Sequence, residues 1–278
     1  MQKQKFQKLL KIINYNFFIN FFLFFFLITN LLAIELKGNY IQGGLIIGKT
    51  DSNLKIFLDD TPIPVDKNGY FLFGFDRKHA ASSILKIIFS TDKIVEKKLL
   101  IKNREYQIQK INNLDENKVV PPKAFYERIK KEIAIIKKAK KINIEEAYYK
   151  KGFIMPAKGV ITGVYGSQRI LNGKPRRPHY GLDIANKKGT PVLASSDGII
   201  VLAEKDLYFS GGTIIMSHGQ GLTSSFLHLS AISVKVGDKV IQGQVIGSMG
   251  ATGRATGSHL DWRMEIRGVR IDPRLLLK

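Results

Sequence analysis

Apolar residues along this chain fall into three kinds of run. The first is continuous, from Phe17 to Ile34, broken only by Asn20, Thr29 and Asn30. Its Phe21–Phe26 portion is apolar on every face, as a lipid-facing or signal helix is, and unlike a half-buried one. As a helix it would span roughly 27 Å at ~1.5 Å per residue, close to a hydrocarbon core. The second kind is short, rich in β-branched and aromatic residues and separated by polar turns. It predicts strands at 46–47, 54–58, 70–75, 84–89, 94–101 and 106–109, with turns such as Asp66-Lys67-Asn68-Gly69. The third is one helical stripe, Phe125, Ile129, Ile133 and Ile136, just after Pro121-Pro122. Lys130, Lys131, Lys137, Lys138, Lys140 and Lys141 form its solvated side.

From Gly152 the pattern returns to strands, at 199–203, 213–217, 222–228, 240–247 and 260–266, with no helical period of useful length. The predicted fold is therefore all-β. A targeting helix occupies residues 1–35, a small β-sandwich-like domain 36–112, a linker with an amphipathic helix 113–150, and a compact β domain with a groove 151–278.

Charge changes this picture only modestly. A net charge of +21 fits nucleic acid, an anionic membrane surface or an anionic wall polymer, and equally a proteome biased toward lysine. No nucleic-acid-binding motif accompanies it. Lys3, Lys5, Lys8 and Lys11 before the apolar run send the remainder of the chain outward. The run serves either as a cleaved signal or as a retained anchor, since Ala33 offers a cleavage residue but Leu31 fits the A-x-A pattern poorly. Both place the rest outside the cytoplasm, which sets nucleic acid aside. With no cysteine, any metal must be held by His, Asp or Glu.

Those residue types gather near the C-terminus. Three of the five histidines lie in His179-Tyr180-Gly181-Leu182-Asp183, Phe226-Leu227-His228-Leu229-Ser230 and Ser258-His259-Leu260-Asp261-Trp262. In a strand, His259 and Asp261 share one face while Leu260 and Trp262 take the other. Each motif alone is weak. His228 has the apolar neighbours of a core histidine, and Asp261 has alternative partners in Arg263 and Arg267. His218 is read as structural or as a support behind the site residues, and His79 as a surface residue.

Taken in order and with their flanks, the motifs resemble those of the lysostaphin/LytM-type zinc metallopeptidases, which cut peptide crosslinks of bacterial peptidoglycan. The resemblance covers roughly residues 154–277. It includes Gly189-Thr190-Pro191-Val192, Asp197-Gly198, Val236-Gly237-Asp238-Lys239-Val240, Gly243-Gln244-Val245-Ile246-Gly247, Gly250-Ala251-Thr252-Gly253 and Asp272-Pro273. Gly43-Gly44-Leu45-Ile46-Ile47-Gly48 also looks like the non-catalytic part of some Gram-negative members.

What the resemblance implies is a zinc site of His179, Asp183 and Asp261, with His228 and His259 as catalytic imidazoles. The family's last motif is His-x-His, so Asp261 stands where a ligand histidine is usual. A carboxylate binds zinc at a similar distance, but it removes one unit of positive charge and relaxes selectivity toward manganese or iron. The implied partner is peptidoglycan, with the cytoplasmic membrane added if the N-terminal helix is retained. The implied location is the periplasm, free or anchored to the inner membrane. The alternative is a catalytically inactive relative that binds the wall or activates another wall hydrolase.

Overall fold

The structure, a computed structural model, describes residues 34–90 and 93–277. The targeting segment expected over residues 1–35 lies almost wholly outside them. Among the described residues, no helix is long and apolar enough to cross a membrane.

Two small sheets open the described chain. One contains β1 (Glu35–Gly38), β2 (Leu45–Lys49) and β5 (Tyr70–Gly74), in the order β1-β2-β5. The other runs β4-β3-β6-β7, from β3 (Lys55–Leu58), β4 (Thr61–Ile63), β6 (Ser82–Ser90) and β7 (Lys93–Leu100). Alternation along β6 turns Leu85 and Ile87 inward, and they share a core with Ile56, Ile46, Phe71 and Phe73. The two sheets thus face one another as a sandwich. His79 is not the isolated surface residue expected. Its Nε2 lies 2.6 Å from Ser83 Oγ, which donates to Asp59, and its ring lies against Phe75 at 4.9 Å.

The next strand departs from expectation. β8 (Ile108–Ile111), predicted two residues earlier as part of the first domain, instead pairs in parallel with β10 (Gln168–Leu171). Alternation marks a strand but not the sheet edge it joins. Arg104 ties the crossing chain down, donating to Gln42 O at 3.1 Å and to Asp272 at 2.8 Å. A short helix, α1 (Glu116–Val119), precedes α2 (Tyr126–Lys140).

The predicted stripe on α2 is only partly the buried one. Ile136 and Ala139 pack on Val201, Leu202, Leu207 and Ile215, whereas Ile133 is 47% exposed and Phe125 lies in the turn before the helix. Polar groups complete the contact. Arg128 pairs with Glu132 at 2.7 Å, and Glu132 accepts from the Tyr208 amide at 2.8 Å. A helix resting shallowly on a sheet needs a narrower apolar stripe than a core helix.

The second domain is built on one large sheet, in the order β17-β14-β15-β16-β19-β12-β9. Its strands are β9 (Val160–Gly163), β12 (Gly181–Ala185), β14 (Gly198–Leu207), β15 (Gly211–Gly219), β16 (Leu222–Ile232), β17 (Lys239–Val240) and β19 (His259–Ile266). The short β11 (Lys174–Pro175) pairs with β10. Onto the large sheet are joined β13 (Pro191–Leu193), β18 (Val245–Met249) and β20 (Val269–Ile271). The run 240–247, expected as one strand, is divided between β17 and β18. A turn at Gly243 (φ +86°) separates them and leaves Ile241 62% exposed. Trp262, Phe226, Leu182, Ile184 and Leu260 fill the core beneath β12 and β19.

Candidate metal centre

Strand register brings the first and last motifs together. β12 and β19 are antiparallel, with Asp183 opposite Asp261 and Ala185 opposite His259. Leu260 and Trp262 face the core at 0% exposure, so His259 and Asp261 take the other face, as period-two alternation requires. Glycine makes room for the carboxylates. A Cβ on Gly163 would collide with Asp183 Oδ2, and one on Gly181 with Asp261 Oδ1.

His179 stands just before β12. Its amide donates to Ser167 O at 2.8 Å, and its Nδ1 lies 3.3 Å from Val164 O. A carbonyl only accepts, so Nδ1 carries hydrogen and Nε2 is the end offered to the site. Nε2 lies 3.0 Å from Asp183 Oδ1 and 3.3 Å from Asp261 Oδ1. The three ligand atoms lie within 4.8 Å of one another, all from buried residues.

The electrostatics of this cluster suit a cation. Burial pushes the His179 pKa down, but Asp261 and Asp183 outweigh it and hold the pKa above the usual value. Asp183 is held below the usual range. Burial and Asp261 push it up, and His179 and Arg169 more than offset them. Asp261 lies well below its usual range, because Arg263 and His179 overcome its burial. A proton on His179 still leaves Asp183 Oδ1 buried without a hydrogen bond, despite the 3.0 Å approach. A tetrahedral ion at ~2.0–2.1 Å from each ligand separates ligand atoms by about 3.3 Å. The observed spacing and the orphaned oxygen fit a divalent metal.

Each carboxylate turns its second oxygen to an arginine. Arg169 Nη2 donates to Asp183 Oδ2. Arg263 grips Asp261 by two nitrogens, at 2.6 and 3.0 Å to Oδ2, with a further 3.1 Å contact to Oδ1. The alternative partner Arg263 is therefore real, but it does not displace Asp261 from His179. Arg267 is engaged elsewhere, on Gln220 O and Leu72 O. Arg263 was within reach of sequence reasoning, two residues along the same strand face. Arg169 carries no local signal, because only folding brings β10 beside β12.

Two more imidazoles border the cluster. His228 is 5% exposed, and its Nδ1 lies 2.7 Å from Thr252 O. His259 Nδ1 lies 2.9 Å from Gly257 O, and its Nε2 comes within 4.0 Å of Asp183 Oδ1. The two rings lie 4.7 Å apart, tilted by 45°. Burial, then the nearby His259, lowers the His228 pKa to about 4. His228 also adopts φ +66°, a left-handed conformation rare within a strand. Such strain persists where the surroundings over-determine it. His218, expected to be structural, lies apart from this cluster, between Asp197 O and Ser224 Oγ.

A groove of about 250 Å³ opens over the site. Asp183 and His259 line it together with Arg169 and Arg254. Gln109, Ile111 and Leu114 form a further wall, so the segment around β8 and the start of the linker contributes to a site the motifs alone attribute to the last third of the chain.

Comparison with known proteins agrees with this geometry. Peptidase family M23 matches residues 177–273. The peptidoglycan DD-endopeptidase ShyA of Vibrio cholerae is 45% identical over 91 residues, which is 33% of this chain and 21% of that protein. The DD-carboxypeptidase/endopeptidase Mpg of Neisseria meningitidis is 40% identical over 97 residues, 35% of this chain and 22% of that one. The chain thus spans about a fifth of the length of these relatives. The crystal structure of a Pseudomonas aeruginosa protein assigned to peptidase M23 superposes with a TM-score of 0.66 at 25% identity, covering 86% of this chain and 95% of that one. With its motifs, its sheet and its His-Asp-Asp cluster in register, the C-terminal β domain of this chain belongs to peptidase family M23.

Proposed function

We propose that the chain is an exported, zinc-dependent endopeptidase that cuts peptide crosslinks of peptidoglycan. The observation that carries this reading is the convergence of His179 Nε2, Asp183 Oδ1 and Asp261 Oδ1 beside two imidazoles, each anchored through its Nδ1. The relative ShyA, named as a peptidoglycan DD-endopeptidase, supports the choice of substrate. The apolar run before residue 35 supports export.

His179, Asp183 and Asp261 would hold the metal. What it supplies when bound is Lewis acidity at the scissile carbonyl and a more acidic water. Arg263 and Arg169 fix the carboxylates and offset their charge, so the second aspartate does not leave the site over-neutralised. His228 is neutral at pH 7, since its pKa is about 4. With Nδ1 held by Thr252 O, its Nε2 lone pair is aimed outward to accept a proton. His259, less deeply buried, exchanges that proton with solvent and the leaving amine. Manganese or iron could replace zinc, because two of the three ligands are oxygen.

The test is to incubate the chain with purified sacculi and analyse the fragments by mass spectrometry. New peptide termini that vanish with chelator are expected. Cleaved glycan linkages with intact peptides would refute the reading. No cleavage at all, with sacculi still bound, would favour the inactive wall-binding relative.

A further inference from the structure

Four arginines stand near the groove, and only two of them have a carboxylate. Arg169 and Arg263 hold Asp183 and Asp261. Arg176 bonds only carbonyls, Val119 O at 3.2 Å and Pro175 O at 3.0 Å. Arg254 is the most isolated. Its guanidinium makes one long bond, Nη1 to Lys118 O at 3.4 Å, and lies over the Phe209 ring at 4.9 Å. No carboxylate pairs with it among the described residues, although it is half-buried and lines the groove beside Asp183 and His259.

We propose that Arg254 is a carboxylate-binding residue of this groove, and that the peptide cleaved bears a free carboxylate beside the scissile bond. This rests on the peptidase reading above. Arginine offers five N–H donors in a planar fork matched to a carboxylate. A half-buried guanidinium with so few protein partners keeps most of its N–H donors available to an anion in the groove. Burial, followed by the charges of Arg263, Arg169 and Arg176, lowers its pKa to about 10, so positive charge here exceeds what Asp183 and Asp261 offset. The position is also fixed. The Arg254 amide donates to Phe209 O at 2.8 Å, and Gly253 before it (φ +72°) has no room for a Cβ. The Phe209 ring against the guanidinium, 4.9 Å away, further limits where it can move. Thr252, two residues earlier, holds His228, so one short loop carries both an imidazole's anchor and the anion's partner.

The carboxylate could be a side-chain group within the crosslink or the α-carboxylate of a chain end. The full chain, loaded with zinc, is assayed on synthetic crosslinked peptides in three forms: all carboxylates free, the side-chain carboxylate amidated, or the terminal carboxylate amidated. A charge-assisted pair predicts a preference for the free acid of about 10–100-fold in kcat/KM. The amide that loses this preference identifies the source. In Arg254→Gln the ratio of free acid to amide should fall to near one, and Arg254→Lys should keep part of it. An unchanged ratio in Arg254→Gln, or no preference in the wild type, overturns the proposal. A purely structural role would lower both rates together and leave the ratio alone.

Binding of the same peptides to metal-free protein, followed by calorimetry, separates this from the peptidase reading. Absence of cleavage with an Arg254-dependent preference for the acid refutes only the peptidase reading. Equal binding of acid and amide, or none, refutes the subsite.

Discussion

His218 and His228 sit in the paired strands β15 and β16, and they make an instructive pair. Both are at most 5% exposed, and burial lowers both pKa values to about 4. Depth and basicity do not distinguish them. Hydrogen bonding does. His218 has both nitrogens engaged, Nδ1 with Asp197 O and Nε2 with Ser224 Oγ, each at 2.8 Å. Among the described residues His228 bonds only through Nδ1, to Thr252 O, and its ring lies 4.7 Å from that of His259, which lines the groove. His228 also carries the strained φ of +66°. The first region is a closed network that specifies packing, whereas the second has unused bonding capacity directed at a cavity.

The largest expected effect lies at the metal cluster. Asp261→Ala removes one of the three proposed ligands, and zinc affinity should fall by well over about 100-fold, beyond the loss typical of supporting residues. Equilibrium dialysis followed by metal analysis measures it. Asp261→His is more subtle. It offers an imidazole in place of the carboxylate but leaves Arg263 facing that ring without its two-point partner. Zinc affinity should therefore recover more fully in Asp261→His/Arg263→Gln than in Asp261→His. Wild-type zinc content in Asp261→Ala would mean that Asp261 serves Arg263 alone, and the region of unused bonding capacity would shrink to the imidazoles.

Next comes the pair itself. His228→Ala should retain zinc and lose about 100-fold or more in kcat, the usual size of a proton-transfer contribution. His218→Ala should do the reverse. It strands Ser224 Oγ and Asp197 O and leaves a void beside Phe153, at a cost of about 2–4 kcal/mol in stability. Its kcat should stay within a few-fold of wild type. Denaturant unfolding and steady-state kinetics on both variants test the contrast, and a swap of the two phenotypes would invert the assignment.

This contrast also explains what was legible in the sequence. Strand periodicity announced β19 and the shared face of His259 and Asp261, because alternation is a local property. The order and flanks of the three motifs brought His179, Asp183 and His228 together by resemblance, not by geometry. The non-local pairings were silent. Nothing near Gln109 or Arg169 says that β8 crosses to β10 and walls the groove, since edge pairing depends on the whole sheet. Nor does the sequence reveal that Gly163 and Gly181 are the hollows in which two carboxylates lie. The setting of His79 was silent for the same reason, its partner Ser83 being held by Asp59 through the non-local pairing of β3 with β6.

The smallest effect concerns pH, and it tests the claim that the two histidines are alike in burial. In the unfolded chain each should titrate near its ordinary value of ~6.5, against about 4 when folded. The unfolded state then binds more protons between those values. The stability each neutral ring contributes is fully present above pH ~6.5 and is lost as pH falls toward 4. The loss is at most about 3 kcal/mol per ring. Other groups titrate in the same window, and His179 has the opposite sign, because its raised pKa favours the folded state at low pH. Differences against non-titrating variants remove them. The wild type's advantage over His218→Gln at pH 7 should shrink by about 2 kcal/mol at pH 4.5, and the change relative to His228→Gln should be similar. Chemical denaturation of metal-free protein at the two pH values gives both numbers. Equal shrinkage would show that burial is shared and that only the free nitrogen separates the two. A pH-independent difference at His228 alone would mean that the groove admits enough water to keep its pKa ordinary, and burial would then separate the two regions after all.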